Sequence, residues 1–187
     1  FDMLGEAAKT RSDANAYFDS YKDAILRVAE APREGDSISV KLSALEPRYE
    51  TAHASSAVTA LSERLLELCQ EASRRSVGIT VDAEEADRLE MSLAIISNVA
   101  RDPSLSGWDG LGLAIQAYSK RARATIEWVE ALGRETRRPL STRLVKGAYW
   151  DTEIKHAQEQ GLEDFPVFTR KETTDLNYLA CAHSMLA

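Results

Sequence analysis

The sequence predicts an α/β fold, specifically the first half of a (β/α)8 barrel of the TIM type. Short apolar runs of strand length alternate with longer segments of helical periodicity, a pattern typical of a parallel sheet with right-handed crossovers. The glycine-rich phosphate motifs G-x-G-x-x-G and G-x-x-x-x-G-K-[ST] are both absent, which disfavours a dinucleotide-binding doubly wound sheet. An initial helix and four strand–helix units are recognisable, whereas a complete barrel has eight units in about 250 residues.

The initial helix and the first strand come before the first break in the pattern. Apolar residues on one stripe predict a helix from about Ser12, as its N-cap, to Ala29. Pro32 and Gly35 end it. The β-like run at residues 38–42 then predicts the first strand.

The second and third units repeat this arrangement. Apolar residues at a spacing of three and four over 58–72 predict an amphipathic helix. Gly78 introduces a strand at 79–82, and a helix is predicted over 89–100. The third strand is predicted at 110–116.

The fourth unit completes the half-barrel. A helix is predicted around residues 126–132, with Gly133 as its C-terminal stop signal. A strand follows at 139–146, and two helical segments follow it at 152–160 and 173–187. We expect the first and fourth strands to have unpaired outer edges. The chain is therefore expected to be the N-terminal part of the barrel domain, with the other half outside it.

Composition and charge exclude several functional classes. The chain has 187 residues, 44% of them hydrophobic, with 23 Lys+Arg against 30 Asp+Glu and a net charge of −7. This acidic balance argues against nucleic-acid binding, which needs a basic face. No segment approaches the roughly 18–20 apolar residues of a membrane helix. Cys69 and Cys181 lie far apart in the sequence and are interpreted as buried thiols of a reducing compartment.

Polar residues mark the carboxyl end of every predicted strand. They are Lys41, Asp82, Gln116, Arg143 and Lys146. Catalytic groups of a barrel project from these ends. One such residue could simply cap the next helix, as Asp82 could. Residues in register at four strand ends would each carry an unmatched desolvation cost, so we interpret them as one shared site.

The segment from Arg143 to Asp151 is the densest in functional side chains. Arg143 offers a planar donor fork for ring atoms or an anion, and Gly147 allows close approach to the backbone. Tyr149 and Trp150 offer flat surfaces for a ring. The alternative is that this aromatic pair packs between the sheet and the helices.

Other chemistries have weaker signals. His53, His156 and His183 lack metal-ligand spacing, so no metal site is predicted. The acidic run at 82–87 is interpreted as carboxylates in the first turn of a helix, which applies to Glu84, Glu85 and Asp87. Lys146 at a strand end keeps a Schiff-base aldolase as an alternative. A non-catalytic binding barrel is a second alternative.

Several longer motifs carry a family resemblance. They are FDMLGEA at 1–7, SVKLSAL at 39–45, VDAEE at 81–85, AIQAY at 114–118, RLVKGAYWD at 143–151, PVFTRK at 166–171 and YLACA at 178–182. In this order and spacing they resemble the proline dehydrogenase module of bacterial bifunctional proline-utilisation flavoenzymes. The resemblance covers nearly the whole chain.

The resemblance implies a distorted (β/α)8 barrel that holds FAD non-covalently. It implies oxidation of L-proline to Δ1-pyrroline-5-carboxylate by hydride transfer to flavin N5, with electrons passed on to a membrane quinone. It further implies a cytoplasmic enzyme associated peripherally with the inner membrane. The resemblance is also compatible with an aldehyde dehydrogenase module fused to the same polypeptide, a point that the sequence does not decide.

The resemblance also assigns roles to single residues. Lys41 matches a lysine that pairs with the substrate carboxylate, and Arg143 matches an arginine beside flavin N5. With Asp82 these are the implied catalytic residues. The implied substrate-binding residues are Lys41, Asp82, Ala148, Tyr149 and Glu6, the last of which matches a glutamate paired with an arginine of the final barrel helix. The implied cofactor-binding residues are Gln116, Arg143, Val145, Lys146, Gly147, Trp150, Thr169, Arg170 and Lys171.

Overall fold

Four parallel strands form one sheet in the computed structural model, which describes residues 1–2, 7–31, 33 and 35–186. Each strand pairs with the next one along the chain. The strands are β1 (Ser37–Val40), β2 (Gly78–Val81), β3 (Leu111–Gln116) and β4 (Ser141–Val145). All four predicted strands are confirmed, and their carboxyl ends lie at one edge of the sheet because they are parallel.

Helices connect the strands and cover the sheet. They are α1 (Arg11–Glu30), α2 (Leu42–Leu45), α3 (Ala54–Arg74), α4 (Leu89–Ala100), α5 (Ala122–Thr136), α6 (Trp150–Glu159) and α7 (Lys171–Leu186). The single turn α2 was not predicted, whereas the other six were. In the described ranges, none of the helices combines the length and the apolar character needed to cross a membrane.

Two helix ends differ from the prediction. The N-cap of α1 is Thr10 rather than Ser12: its side chain accepts a hydrogen bond from the Asp13 N–H, and the Asp13 carboxylate accepts one from the Thr10 N–H. The prediction that Gly133 ends its helix is also wrong, since α5 continues to Thr136. A β-carbon at Gly133 would lie 3.1 Å from the Arg138 carbonyl oxygen. Glycine there allows the returning chain to pack closely.

The core lies between the sheet and the helices. Strands β1 to β3 are buried along almost their whole length, and the periodic leucines of α3 are fully buried against them. Strand β4 is more exposed, and no strand pairs with its outer edge among the described residues. The outer edge of β1 differs from the prediction, because the Ser39 N–H donates to the Phe1 carbonyl oxygen at 2.8 Å. That edge is therefore partly paired.

Both cysteines are buried free thiols, as predicted. Burial raises the pKa of the Cys69 thiol and of the Cys181 thiol. Because the thiolate is the reactive form, neither side chain is suited to nucleophilic or redox chemistry.

A glycine in β3 allows β4 to pair closely. Gly112 lies opposite Ser141 in the ladder, and a β-carbon at Gly112 would lie 2.5 Å from the Ser141 carbonyl oxygen. That oxygen belongs to the backbone, so it cannot move away without shifting the strand. The position of β4 therefore depends on this glycine.

We expect Gly112→Ala to lower the free energy of unfolding by about 1–3 kcal/mol, the usual cost of overpacking. Urea unfolding of the complete protein, rather than of residues 1–187 alone, is followed by circular dichroism and measures the change. Gly133→Ala is the matched control and should cost less, because its nearest contact is longer and alanine is favoured in helices. Identical unfolding curves for Gly112→Ala and the wild type would contradict the close contact.

Candidate active site

The sheet brings the three predicted catalytic residues together. Lys41 directly follows β1 and Asp82 directly follows β2, as predicted. The prediction that Arg143 marks a strand end is wrong, because Arg143 is the central residue of β4 and reaches the cluster with its long side chain. The Lys41 Nζ donates to Asp82 Oδ2 at 3.2 Å, and the Arg143 Nη2 donates to Asp82 Oδ1. The Arg143 Nη1 also donates to the Ser39 hydroxyl at 2.9 Å. One carboxylate thus binds two cations from two different strands.

Burial increases from the arginine toward the carboxylate. The exposed fraction of the side chain is 46% for Arg143, 18% for Lys41 and 11% for Asp82. A shielded carboxylate needs such partners, because an unpaired buried charge is costly. Lys41 and Arg143 thus place two cationic donor groups beside one shielded carboxylate, and such donors suit an anionic ligand group. The exposed carboxylate of Asp2 lies 3.7 Å from Lys41 at the edge of this cluster.

The alternative that Asp82 caps the next helix is wrong. Both of its carboxylate oxygens are engaged by Lys41 and Arg143. The short 3-10 helix that follows, Ala86–Arg88, has Glu85 at its N-cap position and no side-chain cap.

Gln116 links two of the loops that follow the strands. Its Nε2 donates to the Glu84 carbonyl oxygen at 2.9 Å, and its Oε1 accepts from the Ala148 N–H at 2.9 Å. The side chain is buried. Both ends of this amide therefore bind backbone of the protein itself, and they set the spacing between the loop after β2 and the loop after β4.

Glu84 has a different place from the one predicted. The interpretation of Glu84, Glu85 and Asp87 as first-turn carboxylates holds only for Asp87, in the 3-10 helix. The Glu84 carboxylate instead accepts the Ser43 N–H of α2 at 3.0 Å and pairs with Arg88 at 3.0 Å. Its pKa is raised by burial. The residues around Glu84 have the local pattern of a helix start. Its contact with α2 joins residues 41 positions apart, so the neighbouring residues give no indication of it.

Sequence reasoning missed Glu153 of α6. Its buried carboxylate accepts the Ala86 N–H at 2.6 Å, and burial raises its pKa. It lies one turn before the buried Ala157 on the inner face of α6. The available sequence signal was that Glu153 precedes Ala157 by four residues and so shares its face of this amphipathic helix. Glu153 ties α6 to the loop that carries Asp82.

A separate cleft contains several of the predicted cofactor-binding residues. Its lining includes Tyr118, Lys146, Gly147, Trp150, Phe168, Thr169, Lys171, Thr174 and Asp175. The exposed Trp150 donates its indole N–H to the Phe168 carbonyl oxygen at 2.9 Å. Of the aromatic pair, Trp150 therefore does not pack between the sheet and the helices, whereas Tyr149 is half-buried. The Trp150 ring faces a cleft and can pack against a ligand.

Two lysines of this cleft share one carboxylate that the sequence did not single out. Asp175 accepts from Lys146 at 2.5 Å and from Lys171 at 2.7 Å. The Lys146 side chain is more than half exposed. An exposed, ion-paired ammonium is poorly suited to Schiff-base formation, which needs a neutral amine. These contacts disfavour the aldolase alternative.

Gly147 is needed for packing inside the protein. Its φ of +143° is unfavourable for other residues, and a β-carbon would lie 2.5 Å from the Tyr118 ring. The structure thus gives a reason for this glycine other than the predicted approach of a ligand to the backbone: the close contact is with Tyr118.

The remaining predicted site residues have varied positions. Val145 ends β4 and its carbonyl accepts the Ala117 N–H at 2.8 Å. Tyr149 is half-buried at the start of α6, and Ala148 is exposed beside it. Arg170 is exposed, 3.9 Å from Glu172. Glu6 lies outside the described residues.

The comparisons with known proteins agree on one family. The family model described as proline dehydrogenase matches residues 1–187. The bifunctional protein PutA of Klebsiella aerogenes is 50% identical over 192 residues, which cover 100% of this chain and 15% of that protein. A hydroxyproline dehydrogenase of Bos taurus is 28% identical over 162 residues, which cover 86% of this chain and 33% of that protein.

Solved structures match equally well. A crystal structure of a variant of Bradyrhizobium japonicum Proline Utilization A superposes with a TM-score of 0.97 and 56% identity, over 100% of this chain and 20% of that one. The chain thus spans only about 15% of the length of its PutA relatives from curated sequences. It belongs to the proline dehydrogenase family.

Proposed function

We propose that the chain is part of a proline dehydrogenase that oxidises L-proline to Δ1-pyrroline-5-carboxylate with FAD as cofactor. The observation that carries the proposal is the pair of cations, Lys41 and Arg143, on the Asp82 carboxylate. Their cationic donor groups suit the carboxylate of an amino acid. Family membership supplies the reaction type.

The chain is proposed to form the first half of a (β/α)8 barrel. Three features support this: the strands follow one another in order, β4 has a free outer edge in the described part of the chain, and α7 exposes apolar side chains. The exposed side chains are Leu176, Leu179 and Leu186. Further strands and helices of the same domain would cover this edge and this face.

The cleft beside β4 is lined by side chains whose chemistry matches the parts of FAD. Trp150 offers an exposed indole face, and Lys146, Lys171 and Thr169 offer donors for a diphosphate. We propose that these residues hold the cofactor, together with Gln116, Val145, Gly147 and Arg170. When bound, FAD supplies the acceptor for the hydride of proline.

The residues of the cation cluster have distinct proposed tasks. Lys41 orients the substrate through its carboxylate, which places the reacting carbon in one position. Arg143 lies on β4, the strand that leads to Lys146 of the cleft, and stabilises negative charge that develops during the reaction. Asp82 keeps both cations in place. Ala148, Tyr149 and Glu6 are proposed to complete the substrate pocket.

Electrons are proposed to leave for a membrane quinone, from a cytoplasmic protein associated peripherally with the inner membrane. The PutA relatives are named bifunctional, and we propose an aldehyde dehydrogenase module as the second activity of the parent protein.

Arg143→Met should slow the oxidation of proline by about 10²–10³, because one donor to developing charge is lost. Proline binding should weaken much less. Stopped-flow absorbance in a single turnover gives the rate, and its dependence on proline concentration gives the affinity. Arg134→Met, which removes an exposed arginine of α5, is the control. An unchanged single-turnover rate for Arg143→Met would exclude this role.

Lys41→Ala should act on binding, raising the KM for proline by about 10- to 100-fold, as expected for one charged hydrogen bond. Competitive inhibitors that carry a carboxylate should weaken in parallel, whereas pyrrolidine, which lacks it, should bind as before. Lys22→Ala, on the exposed face of α1, is the control. If both classes of inhibitor weaken equally, Lys41 has a structural role.

Residues 1–187 expressed alone should behave as an incomplete barrel. We expect a loosely packed species that binds the dye ANS and melts without a sharp transition, because one edge and one apolar face lack their cover. Circular dichroism melting of the purified fragment tests this. A sharp, cooperative transition in a monomeric fragment would contradict the half-barrel.

A further inference from the structure

The backbone of Lys41 is held by a side chain from another layer of the fold. Lys41 precedes α2, and its N–H donates to the phenolic oxygen of Tyr21 at 3.1 Å. Tyr21 lies on α1, twenty positions earlier in the sequence, and only 2% of its surface is exposed. Because the Lys41 ammonium reaches Asp82 from this backbone position, the hydrogen bond to Tyr21 helps to set where that ammonium lies.

The Tyr21 hydroxyl lies in the core, where burying a polar group costs free energy. Burial raises the pKa of Tyr21 to about 12, with smaller contributions from the negative charges of Asp82, Glu84 and Asp2. The phenol therefore stays neutral at physiological pH. A phenylalanine would fill nearly the same space without bringing a polar group into the core. What the hydroxyl adds beyond packing is the hydrogen bond to Lys41.

A second contact from a different element holds the same turn. Glu84, in the loop after β2, accepts the Ser43 N–H at 3.0 Å. Helix α2 has only four residues, which is too short to be stable by its own hydrogen bonds. Its first turn is therefore held by Tyr21 from α1 and by Glu84 from the neighbouring loop.

We propose that Tyr21 is a positioning residue for substrate binding, which acts by fixing the Lys41 backbone and through it the Lys41 ammonium. This inference rests on the proposed function, in which that ammonium binds the substrate carboxylate. Tyr21 itself is too deeply buried to touch the substrate. Its effect must therefore pass entirely through Lys41.

Tyr21→Phe in the full-length, FAD-loaded protein should raise the KM for proline by about 3- to 10-fold, the usual effect of losing one neutral hydrogen bond. The kcat should change by less than about twofold, because Arg143 is not disturbed. A carboxylate-bearing competitive inhibitor should weaken by the same factor as proline, and pyrrolidine should not. A drop in kcat with an unchanged KM would overturn the inference.

Two further variants separate positioning from general stability. Tyr49→Phe also removes the hydroxyl of a buried tyrosine, one that donates to the Arg88 carbonyl oxygen at 3.4 Å, and should leave the KM unchanged. In a Lys41→Ala background, Tyr21→Phe should add no further increase in KM, because it acts through the ammonium that is already absent. A full additive increase would overturn the inference. If Lys41→Ala alone raises the KM and Tyr21→Phe does not, the inference fails while the proposed function stands.

Discussion

The Asp82 carboxylate is the interaction on which the candidate site depends. It pairs with both Lys41 and Arg143, and only 11% of its side chain is exposed. Without it, two cations from β1 and β4 would repel each other at close range. With it, side chains from β1, β2 and β4 are joined through a single carboxylate, which the hydrogen bonds of the sheet cannot do, since β1 and β4 do not pair.

The loops around this carboxylate are ordered by side chains that bind backbone. Gln116 spans the loops after β2 and β4, Glu84 reaches the turn after β1, and Glu153 reaches back from α6. Each of these groups is buried, and a buried polar group needs a hydrogen-bond partner. The backbone of the loops supplies those partners. The polar residues that the sequence analysis interpreted as one shared site therefore differ in their contacts: Lys41, Asp82 and Arg143 form an ion-paired cluster, whereas Gln116 binds the backbone of two loops.

Local patterns were sufficient for the strands and for six of the helices, because strand length, periodicity and Gly or Pro breaks are short-range signals. The proximity of Lys41 and Asp82 was also predictable, since parallel strands end at one edge, whereas Arg143 joins them from the centre of β4. The roles of Glu84, Glu153 and Asp175 could not be predicted from the sequence. Each depends on a partner far away in the sequence or on a turn that only the fold creates. The same holds for Gly133, whose neighbour is the returning chain.

Cationic donors can be gathered locally in a chain that is acidic overall. The chain carries −7, and the acidic Asp82 and Asp2 lie beside Lys41 and Arg143. At physiological ionic strength charges are screened beyond about 8 Å, so an anion near the strand ends responds to the cluster rather than to distant surface carboxylates. An acidic surface is therefore compatible with a site for an anionic substrate. The shielding of Asp82 strengthens its ion pairs with Lys41 and Arg143, because opposite charges attract more strongly in a partly desolvated position than in water.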